Sequence, residues 1–194
     1  MKKVACFFAD GSEELELIAV VDVLRRGGVK ADLISISGPM PVSAHGISIK
    51  ADYQMDAIQI EDYDAIFIPG GSKGAENLSN HPEVLKAIRL FHTQAKLVSA
   101  ICAGPVVLEK AGILAGHHGT SYPGFEGELS FKVYEEKLVV ASEGVVTSRG
   151  PATALLLGFE LLRQLDLTED AQRIWKGMLM PQLAQSIKDP EIRS

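Results

Sequence analysis

Three times along the chain a short, nearly unbroken apolar run is cut off by a glycine-rich or polar break. Residues 4–8 precede Ala9-Asp10-Gly11-Ser12, residues 64–68 precede Pro69-Gly70-Gly71, and residues 97–101 precede Cys102. Runs of this length without polar alternation are those of strands buried on both faces, as a parallel sheet requires. Between them apolar residues recur at helical spacing. Leu15, Ile18, Ala19, Val23 and Leu24 mark a helix from about residue 13 to 26, and Val84, Leu85, Ile88 and Phe91 mark another over about 82–93. Strands alternating with helices give an α/β architecture, an open, mostly parallel sheet with helices on both faces. Ligands of such sheets bind beyond the carboxyl ends of the strands, so the three breaks are expected to share one cleft.

The third break has the most chemistry in it. After Ile101 come Cys102, Ala103, Gly104 and Pro105, and proline is favoured in a first helical turn because its missing N–H would be unpaired there anyway. The chain is therefore expected to turn from strand to helix at the cysteine. Small Ala100 and Gly104 flank it in the spacing of a nucleophile elbow. A thiol so placed faces the amino end of a helix, which favours its thiolate form. A buried, inert thiol is the competing reading of the same residues.

A cysteine that attacks a carbonyl needs a group to move protons and donors for the oxyanion. The Ala103 N–H is one donor, and the Gly70-Gly71 turn approaches closely enough to offer another, an ordinary turn being the plain alternative. Proton transfer falls to Glu13, Glu14 or Glu16 at the start of the first helix, for which Ser12 is the expected N-cap. These carboxylates do not share one direction. Glu13 and Glu14 suit a solvated first turn, whereas Glu16, beside apolar Leu15 and Ala19, is expected to face the sheet with a raised pKa and a proton to share with sulfur. His81, His92, His117 and His118 read as surface residues, and none stands out as a base.

Elsewhere the pattern predicts a strand over 29–35, a turn at His45-Gly46, and a short, partly exposed strand with Ile47 and Ile49 on one face. A helix over 105–111 closes at Gly112, and a polar loop covers 117–123. Two strands, 132–141 and 145–148, meet at Glu143-Gly144, followed by helices from Arg149-Gly150-Pro151 to about 165 and over 169–180, and a loose tail from Lys188.

The 194 residues, 46% hydrophobic and 23% charged, fit one globular domain over 1–194, and a net charge of −6 disfavours nucleic acid or an anionic membrane surface as partner. The two cysteines, Cys6 and Cys102, imply no disulfide framework. The first apolar run is too short for a signal segment and no run approaches the roughly 18 residues that span a bilayer, so a cytoplasmic protein is expected. Without HExxH, CxxC, an acidic metal loop, GxGxxG or a P-loop, neither a metal nor another cofactor is expected.

Four motifs in order, DGSEELE, PGG, AICAGP and TSRGP, resemble the ThiJ/PfpI superfamily, in particular the branch of the parkinsonism-associated protein DJ-one and bacterial YajL. The resemblance runs nearly end to end. It implies a flavodoxin-like (class I glutamine amidotransferase-like) sandwich and a homodimer with the first helix at or near its interface. It further implies that Cys102 is a reactive, oxidation-prone nucleophile, Glu16 its hydrogen-bonded partner, and Gly71 and Ala103 backbone donors to it. The implied function is a cofactor-free enzyme on small dicarbonyls, glyoxalase-like (methylglyoxal to lactate) or a deglycase. A redox sensor or redox-regulated chaperone using Cys102 oxidation is the alternative. The family's frequent histidine after the elbow falls on Tyr122, and the histidine that directly follows the cysteine in the peptidase branch is here Ala103, so peptidase activity is not expected. A family arginine near the site corresponds to His45. Gly70 and Arg26 complete the near-site set, Arg26 adding positive potential and Arg149 a chiefly structural role.

Overall fold

The apolar runs form the middle of a seven-stranded sheet in a computed structural model that describes residues 1–187. The tail expected from Lys188 lies outside the described residues. In chain order the elements are β1 (Lys3–Phe8), α1 (Glu14–Arg26), β2 (Lys30–Ser35), β3 (Tyr53–Gln54), β4 (Ala65–Ile68), α2 (Ser72–Ser79), α3 (Pro82–Thr93) and β5 (Leu97–Ile101). Then follow α4 (Pro105–Ala111), β6 (His118–Gly119), β7 (Val133–Tyr134), β8 (Val139–Ser142), β9 (Val145–Ser148), α5 (Ala154–Gln164), α6 (Thr168–Gly177) and α7 (Met180–Ser186). The sheet order is β3-β2-β1-β4-β5-β9-β8, and all neighbours are parallel except the β8–β9 hairpin. This is the flavodoxin-like α/β fold.

Successive side chains of a strand point to opposite faces, and the two cores divide accordingly. Val4, Cys6 and Phe8 of β1 pack with Leu17, Val20 and Leu24 of α1 and Leu157 and Leu161 of α5. Ala5 and Phe7 pack with Leu78 of α2, Ile88 and Phe91 of α3 and Leu108 of α4. Helices α1 and α5 touch at Gly158, where an added Cβ would lie 2.8 Å from Val23 Cβ. Gly158→Val is therefore expected to lower stability by about 2–3 kcal/mol through overpacking, read as a lower urea midpoint at unchanged m-value.

Several expectations are corrected. Ser12 does not cap α1: its Oγ accepts from the Ala9 N–H at 3.0 Å, stitching the preceding turn, and Glu13 occupies the cap with no side-chain bond. Leu15 and Ile18 are 56% and 45% exposed, so the face that α1 buries is instead Glu16, Leu17, Val20, Val21, Val23 and Leu24. No strand forms around residue 47. Ser43 closes a turn on Ile47, Gly46 takes φ +80°, only the Val42–Ser48 bridge remains, and Ile47 is exposed while Ile49 is buried.

The stretch 132–141 is two short strands in different sheets, β7 pairing with β6 and β8 with β9. The loop 117–123 contains β6 and buries His117, Thr120 and Ser121, so it is not merely polar surface. The apolar helix expected from Pro151 starts as a 3-10 turn, Pro151–Thr153, and the last helix is two, α6 and α7. Helix α2, with only Ala75 and Leu78 as buried apolar residues, had no periodicity to announce it.

Candidate active site

Cys102 stands at the carboxyl end of β5 with φ +62°, a conformation unusual for a residue with a side chain. Its N–H donates to Ser148 O at 3.0 Å and its carbonyl accepts the Tyr122 N–H at 3.0 Å, so β9 and the loop after α4 hold the strained residue in place. Glycine at 104 is a packing requirement. A Cβ there would sit 2.8 Å from both the Ile101 and Ile68 carbonyl oxygens. TSRGP gains a local reason too. Thr147 Oγ1 accepts the Thr120 N–H, Ser148 Oγ meets Thr153 Oγ1 at 2.6 Å, and Gly150 lies under the Tyr122 ring.

Glu16 projects from the first turn of α1 into the sheet top and is 0% exposed. Its Oε2 accepts the Gly70 N–H at 2.7 Å, and its Oε1 is buried with no partner of hydrogen-bond geometry. Gly70 is the hinge of the arrangement. A Cβ on it would fall 2.5 Å from Glu16 Oε2, 2.6 Å from Cys102 Cβ and 3.1 Å from Ala103 N, which places carboxyl, thiol and elbow amide around one small volume. Gly71 takes φ +84°, and its missing side chain leaves room for the Gly11 carbonyl and Glu13 N–H.

Burial pushes Glu16 up to about 7, against the Gly70 N–H bonded to its Oε2 and the nearby Cys102 thiol, which draw it down. Burial also pushes Cys102 up, to about 12, with the neighbouring Glu16 carboxyl adding to the rise and the Ala103 and Gly71 N–H groups opposing it. Among the groups around the sulfur, those two N–H groups are the ones that favour its thiolate form. Each group's charge disfavours ionisation of the other, so the pair keeps at least one proton through the neutral range. Cys6, the other thiol, is fully buried in β1 and driven far up by that burial, which leaves Cys102 as the half-exposed one.

A stability prediction follows from Glu16. Between pH 4.5 and about 7 the unfolded chain has released this proton and the folded chain retains it. Stability is therefore complete below the unfolded value, falls as pH rises through the folded one, and is flat above, a loss of order 3 kcal/mol. Urea unfolding at pH values of about 5 and 8 should show this difference in the natural chain, and Glu16→Gln should remove it.

Of the residues singled out by sequence, Cys102, Glu16, Gly70, Gly71 and Ala103 come together, and Tyr122 reaches the elbow by its backbone, its ring being half exposed. Two do not join them. His45 Nδ1 pairs with Glu14 Oε1 at 2.9 Å and lies 3.7 Å from Glu13 Oε2, at the exposed start of α1. Arg26 pairs with Asp22 at 2.7 Å near the far end of the same helix, roughly 15 Å along the axis from Glu16. Sequence reasoning named Gly104 but missed Ser148 as a support of the elbow, although the TSRGP motif containing it was visible.

A strained cysteine at a strand-to-helix elbow, beside a buried carboxyl at the carboxyl edge of a parallel sheet, defines a cysteine-elbow α/β protein. The chain belongs to the DJ-1/PfpI family, whose model matches residues 2–164. It is 31% identical over 182 residues to Protein dj-1beta of Drosophila melanogaster, covering 92% of this chain and 97% of that one. It is 30% identical over 192 residues to the glutathione-independent glyoxalase DJ-1 of Schizosaccharomyces pombe, covering 93% and 100%. The solved structure of oxidized Toxoplasma gondii DJ-1 superposes with TM-score 0.89 at 33% identity, covering 92% and 98%. Among the described residues no helix is long and apolar enough to cross a membrane.

Proposed function

We propose that this chain is a cofactor-free, cysteine-dependent enzyme that converts methylglyoxal to lactate without glutathione. The observation that carries the reading is the buried, partnerless Oε1 of Glu16 beside the half-exposed Cys102. A carboxyl that gains nothing structurally from that oxygen is a poor core residue and a good proton carrier. The relative from Schizosaccharomyces pombe bears the name of this activity.

In the proposed reaction Cys102 sulfur, its proton passed to Glu16, adds to the aldehyde carbon. The resulting oxyanion is held by the Gly71 and Ala103 N–H groups and reprotonated as a hemithioacetal. Glu16 then takes the proton from that carbon and returns one to the neighbouring carbon, while the hydroxyl proton of the hemithioacetal passes to the former ketone oxygen, leaving a thioester. Water cleaves the thioester to lactate and restores the thiol. Net, one water is added and no electron leaves the substrate, so no external redox partner is required.

The same reading takes the chain as one domain over 1–194, working as a cytoplasmic homodimer. The exposed Leu15 and Ile18 on α1 are the apolar face such a dimer would cover. Protein deglycation is an extension of the same chemistry to adducts of the dicarbonyl. The second reading, a redox sensor or chaperone without turnover, is favoured by the half-exposed thiol alone.

Lactate formed from methylglyoxal by the purified protein without glutathione separates the two. Turnover above a protein-thiol blank supports the enzyme. Its absence, with Cys102 still oxidised by peroxide in mass spectra, replaces the enzyme by the sensor.

A further inference from the structure

At the other end of the sheet two imidazoles meet edge to face. His92 Nε2, on the last turn of α3, lies 3.0 Å from His117 Nε2, before β6, with ring planes 75° apart. His117 is 8% exposed and its Nδ1 lies 3.0 Å from the Ser142 carbonyl oxygen. A carbonyl only accepts, so Nδ1 carries a ring proton, and in that tautomer the Nε2 lone pair of His117 is directed at His92. Ser142 is itself fixed, since its Oγ accepts the His118 N–H at 3.1 Å. An imidazole whose second nitrogen donates to a backbone carbonyl is oriented as metal-bound histidines are.

We propose that His92 and His117 form a two-imidazole site for a divalent transition-metal ion of the copper(II) type. With metal–nitrogen bonds of about 2.0–2.1 Å, nitrogens 3.0 Å apart subtend roughly 91–97° at the metal. That is the cis angle of a tetragonal centre rather than the wider tetrahedral one, and tetragonal nitrogen sites select copper(II) or nickel(II). Without metal, His92 donates its Nε2–H to His117. Binding needs that proton moved to His92 Nδ1, which the exposed ring exchanges with solvent, and a turn of the same ring about its Nε2, which keeps the two nitrogens near their present separation. No third histidine, cysteine or carboxylate joins the pair among the described residues, so the remaining positions fall to water or an added ligand.

This site is separate from the thiol. Ser142 precedes the turn whose Gly144 carbonyl accepts the Val98 N–H at the start of β5, whereas Cys102 follows its end, a strand length of roughly 16 Å away. A bound ion would tie the end of α3 to the β6 and β8 segments.

The test is titration with copper(II) in the full chain carrying Cys102→Ser, which removes the accessible thiol as ligand and reductant. One equivalent bound, with electron paramagnetic resonance couplings from two equatorial nitrogens, is expected. Adding His92→Asn, an exposed substitution that leaves the fold intact, should weaken binding at least tenfold and remove those couplings. His117→Asn should do the same. His45→Asn serves as the control, because Glu13, Glu14 and His45 form another group of possible ligand atoms. The proposal is overturned if copper is not bound, if His92→Asn leaves affinity and spectrum unchanged, or if the nitrogen couplings vanish with His45→Asn instead.

Discussion

Glu16→Gln is expected to lower glutathione-free lactate formation by about 10²- to 10⁴-fold, the usual contribution of a positioned acid–base group. The amide has nearly the volume of the carboxyl, and its oxygen can still accept the Gly70 N–H that now binds Oε2 at 2.7 Å. Packing around this fully buried side chain is therefore kept. What is lost is the ability to take a proton from one carbon and return it to the next.

The thiol itself remains. Removing the Glu16 charge takes away one of the influences that push Cys102 up, so alkylation by iodoacetamide should run at least as fast as in the natural chain. Loss of turnover together with retained alkylation assigns Glu16 to proton transfer. Undiminished turnover removes that role, and slowed alkylation with disturbed unfolding makes Glu16 a structural support of the elbow. Cys102→Ser should abolish both reactions, because a hydroxyl in the same place is a far weaker nucleophile.

Part of this geometry was legible because its physics is local. The runs that became β1, β4 and β5 are apolar without alternation, and burial on both faces leaves them no other conformation. The elbow was readable because Gly104 and Pro105 force a helix to begin at once after the strand, which leaves Cys102 the awkward backbone angle. Other features depend on contacts distant in sequence. Helix α2 is held by the docking of Gly74 on Ser12, where a Cβ would lie 2.5 Å from the Ser12 backbone, and nothing in its own composition shows this.

Leu15 and Ile18 fit the helical period of α1 but not its buried face. Periodicity counts apolar residues without saying which side meets the sheet. The placement of Glu16 was correctly inward, yet for a different reason from the one given, since its buried companions are Leu17 and Val20 rather than Leu15. His45 and Arg26, taken from the family pattern, are occupied by Glu14 and Asp22 within this chain. The His92–His117 pair joins residues 25 positions apart, and no spacing rule could have matched it.

Gly70→Ala should be nearly as damaging to catalysis as loss of Glu16, although it adds one methyl group and removes no chemical function. Gly70 is gripped from both sides: its N–H is bound by Glu16 Oε2 at 2.7 Å, and its carbonyl accepts the Glu13 N–H at 3.0 Å. The added Cβ would meet Glu16 Oε2 at 2.5 Å and Cys102 Cβ at 2.6 Å, both far inside contact distance. Neither neighbour is the free end of a flexible chain. Cys102 Cβ is attached to a strained backbone, and Glu16 is enclosed on all sides.

The turn, the carboxyl or the elbow must therefore shift, at a cost of about 1–3 kcal/mol, and any of these shifts separates proton carrier from sulfur. Since misplacement by about 1 Å can cost 10²-fold in rate, turnover should fall by at least that factor while far-ultraviolet circular dichroism stays unchanged. Gly28→Ala, at a positive-φ turn where a Cβ would meet nothing within 4 Å, carries backbone strain without crowding the site and should leave turnover intact. Equal loss in the two variants would trace the effect to general destabilisation. Full activity in Gly70→Ala would mean that Glu16 and Cys102 need not be held as closely as the structure holds them.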